Sequence, residues 1–137
     1  MNGDEDRLEL SDLSYKLTHA ENVEIVHKMC RSVDLYDDDV CCIIRFALVT
    51  KNEGILKYLN STVNHMFTRC CNDMLFKFNI HDIEFNKKDN ILLRYFVLYC
   101  CDVNKDECLY CDSKYKDSYI ISWMIKEGFT VRYLSDE

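Results

Sequence analysis

A chain of 137 residues with 48% hydrophobic and 30% charged residues, no proline and three glycines has the composition of one globular domain, not of a disordered or linker-rich segment. Its formal net charge of −7 opposes binding to phosphate backbones, and no basic cluster is longer than Lys87 and Lys88, so a nucleic-acid partner is not expected. The longest apolar stretch, residues 91–101, is interrupted by Arg94 and is about half the roughly 20 residues a membrane helix needs, so no membrane span is expected either.

The opening residues Asn2, Gly3, Asp4, Glu5 and Asp6 are largely acidic, unlike the basic-then-apolar order of a secretory signal. Nine cysteines without such a signal point to a reducing, cytoplasmic compartment in which thiols mostly fill core space. Residues 1–7 offer nothing to bury and are expected to form a flexible N-terminus, followed by a single globular domain over residues 8–137.

Leu10, Leu13 and Leu17 stand at helical spacing. Thr18 with Glu21 makes a capping box, so a second helix is predicted from about Ala20, with Val23, Val26, Cys30 and Val33 on one stripe. Asp37, Asp38 and Asp39 invite a metal-site reading, but carboxylates directly before an apolar helix are what a helix N-terminus and its dipole prefer. Behind them Val40, Ile43, Ile44, Ala47 and Leu48 repeat as one buried helix face. Asn52, Glu53 and Gly54 break the chain, and Ile55, Leu56 and Leu59 predict a short helix. Ser61 and Thr62 then cap a longer one, whose stripe runs Val63, Met66, Phe67, Cys70, Cys71, Met74, Leu75 and Phe78.

Beyond residue 78 the pattern divides. Phe76, Phe78, Ile80, Ile83 and Phe85 also alternate as a strand does, and residues 79–88 read as a loop or half a hairpin. Asp89 is a candidate cap for residues 91–100, which are apolar on nearly every side and so belong in the middle of the domain, as a helix or as a buried strand. Residues 102–116 read as a polar, cysteine-bearing loop. Tyr119, Ile120, Trp123 and Met124, with Gly128 as C-cap, predict a last helix, and residues 129–134 a strand or docked extension. The fold class that results is all-α, a compact bundle of about six or seven helices around a buried apolar helix. The alternative is α+β, with strands near residues 76–85, 91–100 and 129–134.

Cys108 and Cys111 form a C-x2-C spacing that suits two thiolates on one zinc ion, and Cys100 with Cys101 is the nearest second pair, although adjacent cysteines point in different directions. Apolar filling of the core is the leading reading of these four, and no metal or cofactor is expected. His19, His27, His65 and His81 are scattered and read as helix-surface or capping residues. Without a glycine-rich phosphate loop, a G-x-S-x-G or an H-E-x-x-H, the chain reads as non-enzymatic.

Asp37, Asp39, Val40, Cys41, Ile44, Thr50, Gly54, Leu56, Leu59, Asn60, Val63 and Asn64 together resemble the second and third helices of the small poxvirus Bcl-like virulence proteins over residues 37–66. The richness in Asn, Asp, Lys, Tyr and Ile matches the AT-rich coding bias of many large DNA viruses. The resemblance implies a non-enzymatic viral protein of the host cytoplasm. Such a protein inhibits host apoptosis or innate immune signalling by binding a helical peptide or a signalling adaptor, and often forms homodimers. It also implies helix-in-groove recognition, with Val40, Ile44, Ala47, Leu56, Leu59, Met66 and Phe67 as the candidate groove floor and plain core as the competing role of each. Residues 43–47 ahead of 54–59 also resemble, more weakly, the helix pair of a degenerate viral ankyrin repeat. That pair and the cysteine set leave two other readings, an ankyrin-type scaffold and a zinc-stabilised small adaptor.

Overall fold

A computed structural model describes residues 10–32, 34–77, 80–83 and 91–134. The expected flexible N-terminus, the capping Asp89 and most of the ambiguous 79–88 segment lie outside the described residues. The described chain is mainly helical with one small parallel sheet, and none of its helices is long and apolar enough to cross a membrane. It divides inside one helix into two compact units, up to Cys70 and from Cys71 onward.

The first unit opens with a single 3-10 turn, Leu10–Asp12, where the leucine spacing predicts a helix. The physical reason is Asn22. Its amide accepts from the Ser14 N–H at 3.1 Å and donates to the Ser14 carbonyl at 2.9 Å, so the backbone there finds partners without a helical ladder. Helix α1 (His19–Ser32) begins as expected at the Thr18 and Glu21 capping box, both halves of which are formed.

Helix α2 (Asp37–Thr50) takes the three aspartates into its first turn. Asp39 accepts from the Tyr36 N–H, and Asp37 pairs with both guanidinium arms of Arg69 at 2.7 and 3.0 Å, which holds its carboxyl below the usual range. These carboxylates therefore cap and pair, and among the described residues no group of three or more metal-binding side chains converges. The helix stops at Lys51, a left-handed residue with φ 59°, whose amide and that of Asn52 return to the carbonyls of Leu48 and Ala47.

Asn52 then caps helix α3 (Glu53–Thr62), which packs on α1 and α2. It is 1% exposed and spends every polar group: its N–H on Ala47, its carbonyl oxygen Oδ1 on the Ile55 N–H, and its Nδ2 on the His19 carbonyl at 3.0 Å. Gly54 lets α1 close in, since a Cβ there would stand 3.0 Å from Val23 Cγ2. Helix α4 (Asn64–Phe76) starts later than the sequence predicts, because Ser61 and Thr62 finish α3.

In the second unit, residues 91–100 are helical rather than a strand. They run as an α-helical turn, α5 (Ile91–Tyr95), continued by a π-helical turn, Phe96–Cys100. Leu92, Leu93, Phe96, Val97 and Cys100 are buried, but Ile91 is 72% and Tyr99 68% exposed, so this helix is not enclosed on every side as its composition predicts.

Strand β1 (Cys108–Asp112) lies where a polar loop is expected, with Leu109 and Cys111 turned inward and Tyr110 outward. It pairs in parallel with β2 (Thr130–Leu134), Cys108 opposite Thr130 through Asp112 opposite Leu134. Parallel strands need a crossover, here a 3-10 turn at Ser113–Tyr115 followed by helix α6 (Tyr119–Lys126). Gly128, at φ 107°, is the left-handed residue that ends α6 and admits β2. The expected C-terminal strand is thus present, and that near residues 91–100 is not.

Asn52 joins three helices from a buried position. Asn52→Ala is expected to cost about 1–3 kcal/mol, the usual cost of stranding buried polar partners, read as a lower urea midpoint at unchanged slope. A midpoint equal to that of the parent would show that the amide network does not hold the unit together.

Candidate functional site

Of the seven residues proposed for a groove floor, Val40, Ile44, Ala47, Leu56, Leu59 and Phe67 are fully buried and Met66 is half-buried. In this conformation the first six are packed in the core, and Met66 alone of the seven is partly open to solvent. The four candidate zinc cysteines are not assembled. Cys108 and Cys111 sit three apart on a strand, which turns them to opposite faces, and no set of three metal-ligating side chains forms among the described residues.

Polar side chains do converge in a groove of about 580 Å³ in the second unit. The turn after α4 supplies Lys77 and His81, the 3-10 turn supplies Lys114 and Tyr115, and Ser118 stands at the N-cap of α6. His81 is the centre of the arrangement. Its Nε2 lies 2.8 Å from the Leu75 carbonyl, and because a carbonyl only accepts, the ring proton is on Nε2. Nδ1 is then an acceptor in the neutral ring, and the Ser118 hydroxyl donates to it at 2.6 Å. Ser118 Oγ in turn accepts the Ile121 N–H at 3.4 Å, the weak cap of α6.

The imidazole stacks on the Tyr115 ring, centroids 4.1 Å apart and planes 28° off parallel, and Lys114 Nζ lies 5.1 Å from that ring's centroid. The Tyr115 hydroxyl reaches toward the Lys77 carbonyl at 3.5 Å. Burial lowers the pKa of His81 from the ordinary imidazole value, against the smaller raising effects of the Leu75 bond and the Asp82 charge, and so favours the neutral ring. Lys77 pairs with Asp73 at 3.7 Å and Lys114 with Asp112 at 3.9 Å, while Asp82 and Asp117 add further carboxylates to the lining of the groove. A serine bonded to a neutral imidazole whose other nitrogen is fixed has the geometry of a nucleophile and its base.

A second feature of this unit is the exposed side of α5. Ile91 and Tyr99 are exposed, and the rings of Tyr95 and Tyr99 stack at 5.6 Å, so an apolar and aromatic stripe faces outward across the junction between the α- and π-helical turns. Sequence reasoning missed both features. His81 and Ser118 are 37 residues apart with no local motif between them, and the uniform hydrophobicity of residues 91–100 hid which side is exposed.

Comparison with protein-family models, with curated proteins and with solved structures returns no match for this chain.

The lowered pKa of His81 makes stability depend on pH in a defined direction. As pH falls from about 6.5, the unfolded chain takes up a proton before the folded one does, so this contribution is complete above that pH and is lost as pH falls through the folded value. Resistance to thermal or urea unfolding is expected to fall from pH 7 to pH 5, and His81→Gln to flatten the profile in that window. Asp37 and Glu21, whose carboxyls are also held low, act at more acidic pH. An unchanged slope in His81→Gln contradicts the assignment.

Proposed function

We propose that the chain is a viral interaction protein of the host cytoplasm that binds host proteins and thereby inhibits apoptosis or innate immune signalling. The single observation that carries this reading is the stripe of exposed Ile91 and Tyr99 with half-buried Tyr95 between them, on a helix whose other side is core. Apolar and aromatic side chains held outward on a well-packed helix are the usual anchors of a protein interface. The resemblance of residues 37–66 to poxvirus Bcl-like proteins supports the class of partner, a helical segment of a death-motif protein or a signalling adaptor.

The contact surface in this reading differs from the groove floor that the resemblance implies. An amphipathic helix laid along α5 buries its own apolar residues against Ile91 and the two tyrosines, while the net charge of −7 favours a partner whose polar face is basic. A homodimer through the same stripe is the alternative occupancy, and its signature is a concentration-dependent mass without added peptide.

Fluorescence anisotropy with the full chain and a panel of death-motif and adaptor helices tests the proposal. At least one peptide is expected to bind. The double variant Ile91→Glu, Tyr99→Glu is expected to bind it at least about tenfold more weakly at unchanged melting temperature, because both side chains are already exposed. No binding across the panel, or equal binding by the double variant, overturns the assignment of this face.

A further inference from the structure

The groove around His81 supports a chemical activity that goes beyond partner binding and does not rest on it. We propose that Ser118 is an activated nucleophile, with His81 as its general base, and that it accepts the acyl group of a small uncharged carboxylic ester in the adjoining groove.

Three observations carry this. First, the hydroxyl is already aimed for proton transfer, with Oγ 2.6 Å from Nδ1. An N-capping serine needs only to accept from a main-chain amide, yet here that bond, at 3.4 Å, is the weaker of the two, and the hydroxyl proton goes to an imidazole. Second, the base is oriented from behind. The Leu75 carbonyl holds the Nε2 proton and the Tyr115 ring stacks on the imidazole, the positioning that a carboxylate supplies in a serine–histidine–aspartate triad. A carbonyl carries no net charge and stabilises the imidazolium less, so a slow reaction is expected.

Third, the site has space and a charge balance that select the substrate. The groove of about 580 Å³ admits a small molecule, and because its two lysines are engaged by Asp73 and Asp112 while Asp82 and Asp117 also line it, an anionic substrate is disfavoured and an uncharged ester suits it. Ser118 directly precedes α6, whose positive dipole end favours negative charge that develops near its N-terminus.

The step balances within these residues and water. Ser118 Oγ bonds to the ester carbonyl carbon as its proton passes to His81 Nδ1. The bond from that carbon to the alcohol oxygen breaks, and the leaving alkoxide takes the proton from Nδ1. Water then attacks the acyl-serine, giving its proton to His81, which returns it to the departing Ser118 oxygen, and a carboxylic acid leaves.

An alkyl fluorophosphonate probe reads the first half of this chemistry directly, since Oγ bonds to phosphorus and fluoride departs. Incubated with the full chain at pH 7.5, it is expected to add one phosphonyl group, mapped to Ser118 by peptide mass spectrometry, and none to heat-unfolded protein. Ser118→Asn keeps a good helix cap but has no nucleophile and is expected to take up none. His81→Gln is expected to label about 100-fold more slowly, the lower range for loss of a general base. A structural role for the pair would leave the labelling rate unmoved. No adduct on the folded parent chain, an adduct on another residue only, or a His81→Gln rate equal to that of the parent overturns the proposal.

Discussion

The proton on His81 Nε2 determines much of what the second unit is able to do. The Leu75 carbonyl fixes it there, which leaves Nδ1 as a lone pair facing the Ser118 hydroxyl, and that contact draws together the turn after α4 and the start of α6. Tyr115 stacks against the ring between these two points in the sequence, and burial favours the uncharged form of the ring. Removing the carbonyl contact would free the ring to choose either tautomer. The hydroxyl would then lose its acceptor, the groove its reactive corner and α6 part of its anchoring.

Asn52 plays the comparable part in the first unit with neutral chemistry. Its buried side-chain amide satisfies the carbonyl at the start of α1 and the first-turn N–H of α3, while its backbone N–H bonds to the last turn of α2, so one residue ties three helices by hydrogen bonds. In both units a single polar side chain, fully or largely removed from water, makes one arrangement much better than its neighbours, because each alternative leaves a buried donor or acceptor without a partner.

Local chemistry was legible in the sequence, and long-range pairing was not. The Thr18 and Glu21 box, the acidic start of α2, the Gly128 cap and the buried stripe of α2 follow from rules that span a few residues, and each is where those rules place it. The 3-10 turn at Leu10–Asp12 escaped because a side chain eight residues beyond Ser14 captured its backbone. Strand β1 escaped because its partner lies across a whole helix, and because its five residues sit within a stretch polar enough to read as a loop. The uniform apolarity of residues 91–100 carries no period, so it could not separate the buried Leu92 and Phe96 from the exposed Ile91 and Tyr99.

The two candidate functional features of the second unit therefore arise where sequence periodicity is silent, an exposed aromatic stripe on α5 and a serine–histidine contact closed by the fold. The second depends on one proton. Nitrogen-detected NMR of the histidine rings near pH 7.5 observes that proton directly. The account requires His81 to be neutral with Nε2 protonated and Nδ1 bare but hydrogen-bonded; a proton on Nδ1, or a charged ring at that pH, would contradict it.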